Sequence, residues 1–326
     1  TSEGDWPMYS DDKGRTLTTG VPIVWAASNP TRTITTTFKK GDPFSYNQGY
    51  CFGYCIQSNG MRVAQSASCS PVPGTSSQYY RVESVFSRDG LQWEGPIDVI
   101  YEVPTNFGLF FYPSSKAVQL ADGSILVVGY TNPGKELRAV SMVFRSVDGG
   151  LHYDYWSTVG SPSDAPWGSA SPCEPGIELL TNGALVCVMR TGDSSAYSEK
   201  GGNVTKMLQS TSEDGGLTWE KRFFNRPGVM PKLLQMKNGL LVCAFGRPGN
   251  NMVFSKDGGR SWGAETEITP ADLRSSGYLD MLEVEPGRLL VVYDAYNYTP
   301  AKFWLWEPPE EMNALYGRYV DVEWTQ

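Results

Sequence analysis

The residue types best suited to chemistry stand in one stretch of the chain, Cys173 to Arg190 (CEPGIELLTNGALVCVMR). A carboxylate, Glu174, precedes its first strand, and a guanidinium, Arg190, follows a second strand that is wholly apolar. A carboxylate can accept a proton, and a guanidinium can hold an anion through parallel hydrogen bonds. The structural alternatives are that Glu174 caps the turn before Pro175 and that Arg190 forms a salt bridge. Catalysis and structure both remain open from these residues alone.

The second half of this stretch recurs elsewhere, which indicates a repeat. Each copy reads as apolar residues, a glycine turn and an apolar strand, at 117–131, 232–247 and 281–295. The chain has 35 Gly and 22 Pro among 326 residues, a composition that suits short strands and tight turns better than long helices. No window keeps a 3.6-residue apolar period over three turns. The sequence therefore predicts an all-β protein.

A second, independent repeat has the form Ser-x-Asp-x-Gly-x-x-aromatic. Its copies are SRDGLQW (87–93), SVDGGLHY (146–153), SEDGGLTW (212–219) and SKDGGRSW (255–262). The last two match in full, the second ends in Tyr153, and the first is one residue short. An aspartate there can accept backbone N–H groups across a turn, and the glycine supplies a positive φ, so each copy is expected to close a hairpin. The lone histidine, His152, falls inside such a turn and is expected to be structural.

The interleaving of the two repeats predicts the architecture. Four-stranded units recurring every 45–65 residues are typical of a β-propeller. The expected units are 114–160, 173–225, 229–268 and 275–324, with one or two more in 1–104. The prediction is a single six-bladed propeller domain over residues 1–326, with five blades as the alternative. Residues 41–80 are expected to be one long loop that lines a site.

Charge and hydropathy exclude several classes of partner. The net charge is −8, and no run of Lys or Arg exceeds two residues, which argues against nucleic acid and anionic membranes. The sequence contains no stretch of 18 apolar residues, so no membrane span is expected. An anionic small substrate would need a local cluster of arginines. With one histidine and no cysteine metal spacing, neither a metal nor an organic cofactor is expected.

Cysteines and sequons favour secretion. Cys51, Cys55 and Cys69 lie in the expected loop, where a disulfide would suit a secreted protein, whereas Cys187 and Cys243 in apolar strands are interpreted as small buried hydrophobes rather than a disulfide. Sequons occur at Asn203 and Asn297. The expectation is a secreted monomer.

The Ser-x-Asp turns resemble the Asp boxes of the sialidase superfamily and related six-bladed glycosidases, over about residues 80–324. The residues between the turns extend the resemblance. A Glu-Pro pair is followed sixteen residues later by an arginine, a further arginine stands eight residues before a box, and a Gly-Tyr-x-Asp segment precedes a Val-Tyr-Asp strand end. These features are Glu174-Pro175, Arg190, Arg247, Gly277 to Met281, and Val292 to Asp294.

The resemblance implies a catalytic apparatus. Tyr278 would be the nucleophile and Glu174 the base that takes its proton, which suits a phenol whose ordinary pKa is near 10. Arg190 and Arg247 would bind a substrate carboxylate through planar forks that lysine cannot reproduce. Asp42 would be the acid that protonates the leaving oxygen.

The first hundred residues depart from the sialidase pattern. The Arg-Ile-Pro that supplies a third arginine in sialidases is absent, and Arg15, Arg32 and Arg62 are the candidates for that cation. Aromatic residues of the expected loop either stack on a sugar ring or pack the loop itself; these are Tyr46, Tyr50, Phe52 and Tyr54.

The resemblance implies a secreted, exo-acting retaining glycoside hydrolase that releases a terminal sialic acid or a related acidic sugar from a glycan. One alternative is a propeller glycosidase with paired carboxylates, similar to exo-arabinanases. The other is a glycan-binding propeller without catalysis.

Overall fold

A computed structural model describes eleven segments of the chain: 8–16, 18–19, 51–72, 74, 79–104, 111–131, 139–165, 172–192, 206–273, 275–295 and 314–323. These residues are almost entirely β-strands and turns, so the all-β prediction is confirmed. The chain forms two compact units, Thr1–Thr158 and Val159–Gln326. Within the described segments, no helix has the length and apolar character needed to cross a membrane.

The first unit is a closed eight-stranded barrel with the strand order β10-β6-β5-β4-β3-β7-β8-β9. The pairs β3–β4, β4–β5, β5–β6, β7–β8 and β8–β9 are antiparallel, whereas β3–β7 and β10–β6 are parallel. A separate short hairpin joins β1 to β2. The strands are β1 (Met8–Tyr9), β2 (Thr18–Thr19), β3 (Cys51–Ile56), β4 (Arg62–Pro71), β5 (Tyr79–Ser87), β6 (Glu94–Glu102), β7 (Phe111–Gln119), β8 (Ile125–Thr131), β9 (Val140–Ser146) and β10 (His152–Gly160).

The barrel core is built from alternate residues of these strands. Tyr101 and Tyr153 lie side by side on the parallel β6–β10 pair and stack with their ring centroids 4.7 Å apart. Phe144 meets the Tyr101 ring edge-on at 5.4 Å. The buried Tyr101 hydroxyl donates to Gln65 at 2.6 Å, which satisfies a polar group that would otherwise be costly to bury.

The second unit contains three separate sheets in chain order, with four, four and three strands. Every pairing within them is antiparallel between consecutive strands. The first sheet is β11 (Cys173–Leu179), β12 (Leu185–Arg190), β13 (Lys206–Ser212) and β14 (Glu220–Pro227). The second is β15 (Val229–Gln235), β16 (Leu241–Gly246), β17 (Asn250–Ser255) and β18 (Thr266–Thr269), and the third is β19 (Leu279–Glu285), β20 (Arg288–Ala295) and β21 (Ala314–Asp321).

Side-chain hydrogen bonds join the sheets of the second unit. Glu178 on β11 accepts the backbone N–H of Gln235 on β15 at 3.0 Å. The buried amide of Gln209 donates to the carbonyl of Gly259 and accepts the indole N–H of Trp262. Apolar residues of β12, β13, β15 and β16 fill the space between these contacts. The first two sheets of this unit are therefore held in a defined position, and the ends of their strands can build a site.

The Ser-x-Asp turns share one hydrogen-bond pattern. In the turn after β13, Ser212 donates to Asp214 at 2.8 Å and accepts the N–H of Gly216 at 2.9 Å. Asp214 also accepts the backbone N–H groups of Leu217 and Thr218. The turns at 87–93, 146–153 and 255–262 repeat these contacts.

A further turn of this kind precedes all the others and was missed in the sequence. Ser10 donates to Asp12 at 2.7 Å and accepts the N–H of Gly14 at 2.7 Å, and Asp12 accepts the N–H of Thr16 at 2.8 Å. The segment SDDKGRTL has the required Ser, Asp and Gly but ends in leucine rather than an aromatic residue, so it does not match the full pattern.

The prediction of a six-bladed propeller is wrong. The described residues form a closed eight-stranded barrel and separate sheets of four, four and three strands. The units at 173–225 and 229–268 are each one four-stranded sheet as predicted, but the strands of unit 114–160 belong to the barrel. The parallel contacts β3–β7 and β10–β6 join strands into that barrel, and local repeat patterns carry no information on such edge-to-edge contacts. Nothing tests the single-domain prediction, which stays a prediction.

The expected long loop over 41–80 is also wrong where the structure describes it. Residues 51–71 contain β3 and β4, and Cys55 and Val63 lie in the barrel core. Polar, Ser-rich strands such as β4 lack the apolar alternation on which the prediction relied. Cys55, Cys173, Cys187 and Cys243 are free thiols, so the interpretation of Cys187 and Cys243 as buried hydrophobes is confirmed.

We expect Asp214→Asn to lower the free energy of unfolding by about 1–2 kcal/mol at pH 7, because it weakens several charge-assisted hydrogen bonds at an exposed turn. Hydrogen bonds from the side chain and backbone of Thr218 and from Ser212 lower the pKa of Asp214 to about 2. A carboxylate whose pKa is depressed stabilises the fold at pH values above its ordinary pKa of about 4. This stabilisation is lost as the pH falls towards 2.

Urea unfolding of the wild type and Asp214→Asn between pH 7 and pH 2 measures this contribution. The difference in stability should be constant above about pH 4 and shrink below it. Glu213→Gln, which changes the exposed neighbouring carboxylate, is the matched control. A difference between wild type and Asp214→Asn that persists unchanged at pH 2 would contradict the role of the ionised carboxylate.

Candidate functional site

The β11–β12 hairpin brings Glu174 and Arg190 together. Cys173 pairs with Arg190 in the register of the two strands, so the start of β11 lies beside the end of β12. Gly176 follows a register shift, and a Cβ there would lie 2.1 Å from the carbonyl oxygen of Pro231. Only glycine therefore allows β15 to approach β11 this closely.

Glu174 occupies a bulge with a left-handed backbone. Its φ is 47°, and Met230, the second residue of β15, has φ 46° at the equivalent register shift. Ser115 in β7 has φ 65° at a similar shift within the first unit. Non-glycine residues seldom adopt this conformation, and bulges re-aim side chains. The bulge thus recurs at Met230 and Ser115, whereas only Glu174 among these three residues places a carboxylate there.

The carboxylate of Glu174 is the centre of a buried hydrogen-bond network. Its Oε1 accepts the Arg190 Nη1 at 2.8 Å and the hydroxyl of Tyr278 at 2.7 Å. Its Oε2 accepts the backbone N–H of Met230 at 3.1 Å. Glu174 is only 7% exposed. One carboxylate therefore contacts Arg190 in the first sheet, Met230 in the second sheet and Tyr278, the residue just before the third sheet.

Arg190 is held as a permanent cation. Its Nη1 pairs with Glu174, its Nε donates to the carbonyl of Gly192 at 3.1 Å, and its side chain is 8% exposed. Burial acts to lower the pKa of Arg190, but the negative charge of Glu174 outweighs it, so the net shift of the pKa is upward. Burial and the neighbouring Glu174 raise the pKa of the Cys173 thiol to about 12, so that thiol is neutral at pH 7.

Arg247 and Tyr278 are joined by the turn that precedes β19. Arg247 follows β16 with φ 63°, and its Nε donates to the carbonyl of Ser276 at 2.7 Å. Its guanidinium carbon lies 5.6 Å from the centroid of the Tyr278 ring. A cation at this distance from an aromatic ring is attracted to it, and it also stabilises negative charge developing on the phenol.

The structure brings four of the five predicted site residues together: Glu174, Arg190, Arg247 and Tyr278, here called the Tyr–Glu cluster. Asp42 lies outside the described residues, as do Arg32, Tyr46 and Tyr50. Arg15 is exposed in the Asp12 turn, and Arg62 donates to the carbonyl of Arg88 at 2.8 Å; both belong to the first unit. Met230, Ser276 and Asp294 were not predicted as neighbours of the site. Of these three, only Asp294 belongs to a motif of the sialidase resemblance, the strand end Val292 to Asp294.

Within the described segments, one group of side chains has the spacing of metal ligands. Glu102, His152 and Asp154 belong to the first unit, and their ligand atoms lie within 4.8 Å of one another. The backbone N–H of His152 donates to Asp148 at 3.0 Å, which matches its expected place in a Ser-x-Asp turn. None of these residues belongs to the Tyr–Glu cluster.

Fold and site together define a class: an all-β repeat protein with Ser-x-Asp turns, which carries a buried tyrosine–carboxylate–arginine cluster at its strand ends. The family model of the BNR repeat-like domain matches residues 63–239, more than half of the chain. The chain belongs to this family, and its predicted place in the sialidase/BNR-repeat superfamily is confirmed. No curated protein sequence matches the chain significantly.

Solved structures share the fold at low sequence identity. A protein of unknown function from Dyadobacter fermentans has a TM-score of 0.66 and 17% identity, over 97% of this chain and 83% of that one. The intramolecular trans-sialidase from Ruminococcus gnavus, in complex with oseltamivir carboxylate, has a TM-score of 0.60 and 13% identity, over 97% and 87%. The Hadza microbial sialidase Hz136 has a TM-score of 0.61 and 16% identity, over 88% of this chain and 56% of that one.

Proposed function

We propose that the protein is an exo-acting retaining glycoside hydrolase that releases a terminal sialic acid or a related acidic sugar. The observation that carries the proposal is the 2.7 Å hydrogen bond from the Tyr278 hydroxyl to the buried carboxylate of Glu174. A phenol is a weak nucleophile at neutral pH unless a base removes its proton. Glu174, which lies at hydrogen-bond distance from the phenol, is the proposed base.

In the proposed first step, the oxygen of Tyr278 bonds to the anomeric carbon as the bond to the leaving oxygen breaks. The phenolic proton passes to Glu174 along the existing hydrogen bond, and the leaving oxygen receives a proton from an acid. Water then attacks the anomeric carbon as the bond from that carbon to the Tyr278 oxygen breaks. The ionised acid takes a proton from the water, and Glu174 returns its proton to the phenol, so the configuration is retained. Asp42 stays the proposed acid.

The two arginines supply positive charge for this chemistry. Arg190 balances the charge of Glu174 at 2.8 Å, and Arg247 lies over the Tyr278 ring. A tyrosine rather than a carboxylate nucleophile suits a substrate that bears its own carboxylate, because two anions would repel each other. Guanidinium groups are also the side chains best suited to bind such a carboxylate. Secretion and a monomeric state belong to the same proposal.

Turnover of fluorogenic glycosides by the purified protein tests the proposal. We expect release of the fluorophore from an α-sialoside and none from an α-arabinofuranoside, with the first sugar product of retained configuration by NMR. Turnover of the arabinofuranoside alone would support the paired-carboxylate alternative and overturn the proposal. Binding of the sialoside without any turnover would support a glycan-binding protein instead.

A further inference from the structure

We propose that Asp294 is the positioning residue of the Tyr–Glu cluster, and that it sets the places of both Tyr278 and Arg247 through one turn; the proposal rests on the proposed function. Asp294 is the next-to-last residue of β20, and the turn is the segment 275–278, here called the Ser275 turn. Asp294 hydrogen-bonds to Ser275 and Ser276, and Ser276 in turn hydrogen-bonds to Arg247 and Tyr278, so the Ser275 turn links the carboxylate to both residues.

One oxygen of Asp294 holds the start of this turn. Its Oδ1 accepts the hydroxyl of Ser275 at 2.7 Å and the backbone N–H of Ser276 at 2.9 Å. The Ser275 hydroxyl oxygen in turn accepts the N–H of Gly277 at 2.9 Å. Ser275 and Ser276 are both buried. Hydrogen bonds to an ionised acceptor are stronger than neutral ones, and buried networks of this kind restrict the backbone to one conformation.

The same turn then contacts the two functional residues. The carbonyl of Ser276 accepts the Nε of Arg247 at 2.7 Å, and its hydroxyl accepts the N–H of Tyr278 at 2.9 Å. The backbone N–H groups of Ser276, Gly277 and Tyr278 are therefore all bonded to side-chain oxygens in one chain that begins at Asp294. A shift at Asp294 would move the guanidinium and the phenol together.

Close backbone packing makes the turn intolerant of small movements. Gly277 has φ +74°, and a Cβ there would lie 2.7 Å from the Cγ of Arg247. A Cβ on Gly246 would lie 2.2 Å from the carbonyl oxygen of Gly277. The main chains at 246–247 and 277 thus meet in close contact, so a small shift of the turn would displace Arg247 as well.

The primary test is hydrogen exchange, which does not need catalysis. In Asp294→Ala, the amides of residues 276–278 should exchange at least tenfold faster than in the wild type, because the carboxylate that accepts hydrogen bonds from Ser275 and Ser276 is removed. Asp280→Ala is the matched control, since Asp280 is an exposed carboxylate two residues after Tyr278 and accepts the N–H of Met281. It should leave exchange at 276–278 unchanged.

The second test is kinetic. A misplacement of about 1 Å in an active site can cost about a hundredfold in rate, so Asp294→Ala should lower kcat/KM for the sialoside by roughly 10–100-fold. The loss should fall on both kcat, through Tyr278, and KM, through Arg247. Asp294→Asn keeps an oxygen acceptor in the same place and should restore most of both parameters, while Asp280→Ala should retain wild-type values.

The outcomes separate this inference from the proposed function. Should Asp294→Ala not fold, Ser275→Ala removes the hydroxyl that links Asp294 to Gly277 and is expected to speed exchange at Gly277. Unchanged exchange at 276–278 in a folded Asp294→Ala or Ser275→Ala variant overturns the inference, whatever the activity. A wild type without turnover overturns the proposed function alone, and the exchange result then decides the structural claim.

Discussion

Tyr278→Phe is expected to lower kcat for the fluorogenic sialoside by roughly a thousandfold or more, because it removes the proposed nucleophile and the group that Glu174 deprotonates. Phenylalanine keeps the ring that lies under the Arg247 guanidinium. The variant loses one hydrogen bond to Glu174, so the free energy of unfolding should fall by only about 1 kcal/mol. Activity and stability should therefore respond very differently.

A matched control comes from the same sheet. Tyr293 on β20 is half-buried and stacks on Tyr316 at 5.9 Å, so Tyr293→Phe removes a hydroxyl without touching Glu174. It should keep near-wild-type kcat. Mass spectrometry after treatment with a fluorinated, slowly hydrolysed sialosyl donor should find the sugar on the peptide that contains Tyr278. Turnover within tenfold of wild type in Tyr278→Phe would rule out the tyrosine nucleophile.

Glu174→Ala is expected to lower the free energy of unfolding by about 3–5 kcal/mol, because it leaves the Arg190 guanidinium buried without its counter-charge. Both side chains of this pair are 8% exposed, so water cannot easily replace the lost partner. The Met230 N–H and the Tyr278 hydroxyl lose their acceptor as well. Glu174→Gln keeps the shape and an acceptor oxygen, so it should be destabilised less than Glu174→Ala. Both variants should lose activity, because both lack the proposed base.

A double-mutant cycle isolates the pair. Glu174→Ala combined with Arg190→Ala should destabilise the protein by less than the sum of the single variants, since the second substitution removes the unpaired charge. Glu178→Ala is the control, because Glu178 lies on the same strand and accepts the N–H of Gln235 but takes no part in the pair. Urea unfolding at pH 7 measures all four variants. Additive effects of the two single substitutions would show that the pair is not coupled.

Local features of the fold could be predicted from the sequence because their causes are local. Each Ser-x-Asp turn closes through hydrogen bonds among residues at most four positions apart, such as Asp214 to Thr218. Apolar strands such as β12 and β16 follow directly from their composition, and every residue of both is buried. The turn at Ser10 forms the same hydrogen bonds without an aromatic residue, so the aromatic is not needed to close this kind of turn.

The barrel could not be predicted because its closure depends on contacts between strand edges. β3 and β7 meet at Tyr54 and Lys116, and β6 meets β10 at residues 100–102. Backbone N–H and C=O groups at a strand edge are the same for every sequence, so the partner is chosen by the packing of the whole unit. The repeats indicated hairpins correctly but gave the wrong architecture.

The same division runs through the site. Residue types and spacing alone placed Glu174 and Arg190 at the two ends of one hairpin, and the strand register then pairs them. The contact between Tyr278 and Glu174 joins residues 104 positions apart, and the resemblance to sialidases, rather than any local pattern, suggested it. The proposed role of Asp294 came from the three-dimensional structure, because the hydrogen bonds of a turn leave no periodic pattern in the sequence. Short segments of the sequence thus determine the turns and the hairpin that carries Glu174 and Arg190. The packing of the sheets determines that a phenol, a carboxylate and two guanidinium groups meet.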